Sequence, residues 1–259
     1  MDLGISGRRA LVSAASKGLG RGVAEALAAA GVDLVINARG AEALNATAAE
    51  IAARYGVKVD AVVGDITEPE TRARVLAAAG AVDILVTNAG GPPPGHWQTW
   101  SRDDFLRAID ANMLTPVALM QACLPGMIER GWGRVVNITS AAVKSPIAEL
   151  GLSNTARAGL TGFVAGTARQ VARNGVTINN LLPGLHATDR ATALDAGAAA
   201  REGITPAEAA ARRAAGIPAG RYGTPAEFGA ACAFLCSAHA GYIVGQNILL
   251  DGGAFNATL

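Results

Sequence analysis

The chain has 259 residues, 51% of them hydrophobic, with 22 Lys and Arg against 21 Asp and Glu. So much apolar material is enough for a large core and excludes wholesale disorder, and the balanced charge gives no reason to expect nucleic acid or an anionic membrane as partner. No apolar run reaches the roughly 18 residues of a membrane span, and a single α/β domain is the simplest reading of this length.

From the N-terminus, Met1-Asp2-Leu3 lacks the charged and apolar regions of a signal peptide. Short apolar runs then alternate with Ala-rich helical runs. Strands are predicted over 9–13, 33–37, 60–64, 83–87, 134–139, 177–182 and 247–250, and helices near 21–30, 41–54, 68–79, 101–129, 152–173 and 224–238. Most of the strands are continuously apolar, as in a parallel sheet covered on both faces. Strand–helix alternation implies right-handed βαβ units in a doubly wound, seven-stranded parallel sheet, with ligands bound beyond the carboxyl ends of the strands. The stretch 187–217 is the least sheet-like. It is expected either as a helical flap over the site or as a surface insertion without a gating role. Cys123, Cys232 and Cys236 form no CxxC pair. Cys232 and Cys236, one helical turn apart in an apolar run, read as core thiols, so no metal site is expected and a reducing, cytoplasmic setting fits.

Between the first strand and first helix stands Ser13-Ala14-Ala15-Ser16-Lys17-Gly18-Leu19-Gly20. Gly18 and Gly20 allow a tight turn and close approach to a pyrophosphate, and the following helix offers unpaired N–H groups and a positive dipole end. Strand two ends in Asn37-Ala38-Arg39, where an NAD site usually carries a carboxylate for the ribose 2′-OH. Arg39 with Lys17 instead suits a 2′-phosphate, so NADP(H) is expected ahead of NAD(H). Asp65, with Ile66 after it, follows strand three and is placed to accept from an adenine amine. Asn88-Ala89-Gly90 follow strand four, where small residues leave room for adenosine and Asn88 can tie neighbouring strands together.

These residues resemble the short-chain dehydrogenase/reductase family, and within it the 3-oxoacyl-carrier-protein reductases, over nearly the whole chain. Ser13-Ala14 with Gly18 and Gly20 is similar to the family's Gly-rich turn, with Ala14 at its first glycine, and Thr87-Asn88-Ala89-Gly90 to its Asn-Asn-Ala-Gly. Asn112 matches the helix-borne asparagine, and Ser140 the active serine. Pro183-Gly184 with Thr188 resembles the segment that holds the nicotinamide carboxamide. Arg221-Tyr222-Gly223-Thr224-Pro225 with Glu227, and Asp251-Gly252-Gly253, match late landmarks. The resemblance implies a single Rossmann-type domain, a small-molecule substrate, and a homotetramer or homodimer built on the helices near 101–129 and 152–173 and the last strand.

The catalytic positions break that pattern. Where the family has tyrosine and then lysine, counting from Ser140 gives Ser153 and Arg157, and the sequence resembles a divergent branch that lacks the full tetrad. A serine hydroxyl is far less acidic than a phenol, and Arg157 stays protonated, so neither replaces a tuned acid. Arg157 retains part of the lysine's role, holding the nicotinamide ribose and stabilising an oxyanion, with Ser140 and Ser153 binding a carbonyl oxygen or a water. His186, or a water on Asn112, is one candidate for the missing proton donor, and packing under the flap is the other reading of His186. Alternatively the substrate, an imine or a quinone, needs no strong acid. Trp97, Trp100 and the loop 91–95 line an apolar substrate pocket, pack the loop onto the domain or form a subunit contact. The expected function is an NADP(H)-dependent oxidoreductase with an atypical centre, and the alternative is a catalytically impaired nucleotide-binding or sensing protein.

Overall fold

The computed structural model describes residues 1–258. Its strands are β1 (Arg9–Ser13), β2 (Asp33–Ala38), β3 (Val59–Val63), β4 (Ile84–Thr87), β5 (Gly133–Ile138), β6 (Val176–Pro183) and β7 (Asn247–Leu250). They form one sheet in the order β3-β2-β1-β4-β5-β6-β7, with every pairing parallel. The order reverses between β1 and β4, which opens a crevice at their carboxyl ends. Side chains of opposite parity along each strand feed two cores. Val12, Ile36, Val86 and Val136 face one core, and Leu11, Val35, Leu85 and Val135 the other. Burial on both faces explains why these strands read as unbroken apolar runs.

The helices are α1 (Gly18–Ala29), α2 (Ala41–Tyr55), α3 (Pro69–Ala79), α4 (Arg102–Ile109), α5 (Thr115–Glu129), α6 (Gly151–Val171), α7 (Asp189–Glu202), α8 (Pro206–Ala215) and α9 (Pro225–Leu235). The helix expected over 101–129 is not continuous. A π-helical turn over Asp110–Leu114 separates α4 from α5, and the Thr115 N–H donates to Asp110 O, five residues back. Pro116 is the physical cause: it has no N–H for the Asn112 carbonyl, and its ring crowds that carbonyl. Contrary to expectation, Arg102–Glu129 as a whole is long and apolar enough to cross a membrane. In the structure Leu119, Met120, Leu124 and Met127 of this run are buried against the sheet.

The 187–217 stretch forms a two-helix unit. Thr188 caps α7, and Thr205 caps α8 in a capping box with Glu208. Asp195 of α7 is buried and accepts hydrogen bonds from Arg213 of α8 and from the Tyr222 hydroxyl at 2.9 Å. That triad fastens both helices of the unit to the segment before α9.

Candidate active site

The turn after β1 is built from close backbone approaches. Ser13 Oγ donates to Asn88 O and accepts from Asn88 N, both at 2.8 Å, which joins the ends of β1 and β4. Asn88 Nδ2 donates to Ala14 O at 3.4 Å, so Asn88 ties the two strands as expected. Ala14 has φ +50°, the one non-glycine residue with positive φ among the described residues. Gly18 turns with φ +56°, and a Cβ on Gly20 would lie 2.3 Å from Ala14 O. The first turn of α1 contains no acidic residue, and Lys17 provides no side-chain cap, so its N–H groups remain available to an anion. Ser16 accepts from Thr47 Oγ1 at 3.0 Å through its carbonyl, and Leu19 packs against the core. A pyrophosphate fits this hollow by shape and by the polarity of its lining.

The left-handed backbone at Ala14 leads to the first prediction. The strain costs an alanine about 1–2 kcal/mol, against about 0.5–1 kcal/mol of extra unfolded-state entropy for a glycine. Ala14→Gly is expected to stabilise the protein by about 0.5–1 kcal/mol, read in thermal unfolding as a rise of roughly 2–3 °C.

At the end of β2, Arg39 is largely exposed, and its guanidinium lies 3.9 Å from Asp65. Lys17 is not a free cation as the sequence suggested, for its Nζ lies 2.8 Å from Asp189, the first residue of α7. Asp65 also accepts from Thr67 N and Oγ1. The Ile66 side chain belongs to the core and its carbonyl accepts from Arg72, so Ile66 offers a ligand no side chain. Ala89 and Gly90 follow β4 beside the turn, and Gly90 is exposed.

Of four further residues, Ser140, Ser153 and Arg157 lie at the carboxyl end of β5, and Asn112 lies in the π-helical turn that packs on α6. Asn112 is buried in the π-helical turn. Its Nδ2 donates to Ala108 O at 3.3 Å, while its Oδ1 has no partner and is shut off from solvent. Ser140, just past β5, is extended and accepts from Ala142 N at 3.1 Å. Ser153 and Arg157, one turn apart on α6, are both buried, and Arg157 Nε donates to Ser153 Oγ at 3.1 Å. Arg157 Nη1 donates to the Ile138 and Thr139 carbonyls at 2.9 and 2.6 Å. Burial, with the charge of Arg190 behind it, pulls the guanidinium down to about 10, still protonated at neutral pH. Among the described residues no carboxylate lies within 4.0 Å of it.

The closing segment comes from β6. Gly184 donates to Leu250 O, and a Cβ there would meet Asp251 at 2.7 Å, so Pro183-Gly184 runs tightly along β7. Thr188 lies against the Gly-rich turn, its Cγ2 3.5 Å from where a Gly18 Cβ would be. His186 is buried edge-on to Phe228 at 5.3 Å, with Nδ1 3.3 Å from Gly184 O. Burial lowers its pKa, which keeps the ring neutral, and its packing against Phe228 and Gly223 fits the reading of a packed histidine rather than a proton donor. Trp100 packs on Gly151 at the start of α6 and edge-on to Phe105, holding the loop 91–95 to the domain, while Trp97 is 70% exposed. Cys123, Cys232 and Cys236 are buried as core thiols, and the described residues bring no three His, Cys, Asp or Glu together as a metal site.

Residues 13–254 match the family model described as enoyl-(acyl carrier protein) reductase. The 3-oxoacyl-[acyl-carrier-protein] reductase of Aquifex aeolicus is 32% identical, over 98% of this chain and 100% of its own. The structure of L-sorbose reductase from Gluconobacter frateurii, a complex with NADPH and L-sorbose, superposes with a TM-score of 0.94 at 27% identity, covering 99% and 100% of the two chains. A protein of the short-chain dehydrogenase/reductase family superposes with a TM-score of 0.83 at 29% identity, covering 99% and 100%. With its Gly-rich turn, its reversal of strand order and these full-length matches, the chain belongs to the short-chain dehydrogenase/reductase family.

Proposed function

We propose that this chain is an NADP(H)-dependent oxidoreductase of a carbonyl, an alcohol or a related acceptor such as an imine or quinone, working without the family's phenolic acid. The observation that carries this reading is the buried Arg157, bonded to Ser153 and to the end of β5 at the place where the resemblance sets the reacting carbon. When bound, the nicotinamide supplies the hydride. The chain's part is to orient and to stabilise charge. Arg157 offers a fixed cation in a site of low dielectric, and Ser140 and Ser153 offer hydroxyls to an acceptor oxygen or nitrogen. Asn112, with its orphaned buried Oδ1, is the group in this site with an acceptor to spare for a water. The residues proposed to hold the cofactor are Ser13, Ser16, Lys17, Gly18, Leu19 and Gly20 of the turn, Arg39, Asp65, the backbone of Ile66, Asn88, Ala89, Gly90, Arg157, and Pro183, Gly184 and Thr188.

NADPH oxidation with matched ketones, imines and quinones tests the activity. Turnover of imines or quinones well above that of simple ketones is expected. Tight NADPH binding without turnover of any of them would favour the sensing alternative. Arg39 carries the second prediction. The 2′-phosphate gains a charge-assisted bond there, so Arg39→Asp is expected to shift the NADPH/NADH affinity ratio toward NADH by roughly 10- to 100-fold in fluorescence titrations. Self-association completes the proposal. Leu106 and Leu114 on the α4–α5 run, with Phe234 and Tyr242, are exposed apolar residues suited to a second copy of the chain. A dimer or tetramer in light scattering is expected, and a monomer at micromolar concentration would reject it.

A further inference from the structure

Two residues beyond the apolar Leu85, Val135 and Ile178, the same face of the sheet turns polar. Thr87 of β4, Asn137 of β5, Asn180 of β6 and Asn247 of β7 stand side by side in register. Thr87 Oγ1 donates to Asn137 Oδ1 at 2.6 Å, Asn137 Nδ2 to Asn180 Oδ1 at 3.1 Å, and Asn180 Nδ2 to Asn247 Oδ1 at 2.8 Å. Thr87, Asn137 and Asn180 are buried, and Asn247 ends the row half-buried on the edge strand. All three bonds run in one direction, so each polarises the next.

The row begins where backbone pairing across the crevice stops. Val86 is the last residue of β4 paired to β1, while Thr87 still pairs with Asn137. Beyond Thr87, Asn88 is held by its bonds to Ser13 and Ala14. On β5, Asn137 is followed by Ile138 and Thr139, whose carbonyls hold Arg157. The Thr87–Asn137 bond thus joins the strand that carries Asn88 to the strand that carries Arg157, and Asn180 supports it from the next strand. Stability alone does not call for such a row, because apolar residues of the same shape in every place would cost the fold little. A satisfied polar row instead selects one arrangement of the strands it joins.

We propose that Asn180 is a positioning residue for the cofactor site, acting through Asn137 and Thr87 on the placement of Asn88 and so on the Gly-rich turn. The proposal rests on the cofactor reading of that turn and goes beyond it. Asn180 lies two strands from Asn88, and among the described residues its side chain bonds only to Asn137 and Asn247.

Asn180→Val puts a strand-forming apolar group of similar size in the row and silences it. NADPH affinity, read by fluorescence titration, is expected to fall about 5- to 10-fold, the worth of one hydrogen bond. Asn180→Thr, whose hydroxyl still accepts from Asn137, should stay within about twofold of wild type. Thr87→Val should match Asn180→Val, and the double variant should be no worse than either, because a row that acts as a unit is lost only once, whereas independent effects multiply. Native-state hydrogen exchange reads the placement without cofactor. The Asn88 amide, bonded to Ser13 Oγ, should exchange about 5- to 10-fold faster in Asn180→Val, with the Leu85 amide unchanged. Unchanged NADPH affinity in Asn180→Val overturns the proposal, as does unchanged exchange at Asn88 or a double variant whose losses multiply. If the wild-type protein binds no NADPH, the cofactor reading of the turn fails, and exchange at Asn88 alone decides whether Asn180 sets its place. Should Asn180→Val not fold, Asn247→Ala at the half-buried end of the row replaces it, with the same results expected and the same ones decisive.

Discussion

Replacing Ser153 by tyrosine and Arg157 by lysine together is expected to raise kcat on simple ketones by about 10²–10⁴-fold, the usual worth of general acid catalysis. A phenol titrates near pH 10, and a neighbouring ammonium brings it toward the working range. The wild-type pair cannot do this, because a serine hydroxyl does not ionise usefully and Arg157 remains a fixed cation even at its lowered value of about 10. Neither single change should suffice. Tyrosine alone must enter the buried space where Arg157 Nε now bonds Ser153 Oγ, and lysine alone still lacks an acid. The shorter, narrower lysine makes room for the ring, so the gain should be strongly non-additive, with each single variant below about tenfold. Steady-state kinetics on a ketone panel reads the gain, and an NADPH titration shows whether the cofactor site survives. A double variant that binds NADPH normally and gains nothing would mean that proton supply is not what limits this site.

The sheet was legible because its signal is local. The predicted bounds of β1 and β7 match the structure because each is centred on an unbroken apolar run, Ala10–Val12 and Ile248–Leu250, with no alternation to blur it. The start of α1 was read three residues late, because Lys17 caps it without a side-chain bond and so leaves no capping signature. The π-helical turn at Asn112 was missed although Pro116, four residues on, is its cause. Periodicity alone treats a proline near the middle of an apolar run as a defect in one helix. The charge partners were out of reach for a different reason. Lys17 meets Asp189, Arg190 meets the Gly91 and Pro92 carbonyls, and Asp195 meets Tyr222, all across long separations in the chain. Composition near the turn could count Lys17 and Arg39 as cations, but only the fold shows that each has an acid beside it.

Gly20→Ala should abolish productive cofactor binding while leaving most of the fold standing. The new methyl carbon would lie 2.3 Å from Ala14 O and 2.9 Å from Asn88 Nδ2, and neither neighbour is free to retreat. Ala14 is already held in a left-handed conformation, and Asn88 is pinned to Ser13 through two hydrogen bonds. Relief must come from opening the turn itself, which moves the first N–H groups of α1 away from the hollow. Overpacking of this kind costs about 1–3 kcal/mol of stability. Loss of about two charge-assisted bonds to phosphate weakens NADPH by roughly 100-fold or more. Denaturant unfolding and NADPH titration on the same preparation separate the two effects. A variant that is destabilised but keeps wild-type NADPH affinity would place the pyrophosphate somewhere other than the start of α1, and with it would go the assignment of Lys17 and Arg39 to the adenosine end of the site.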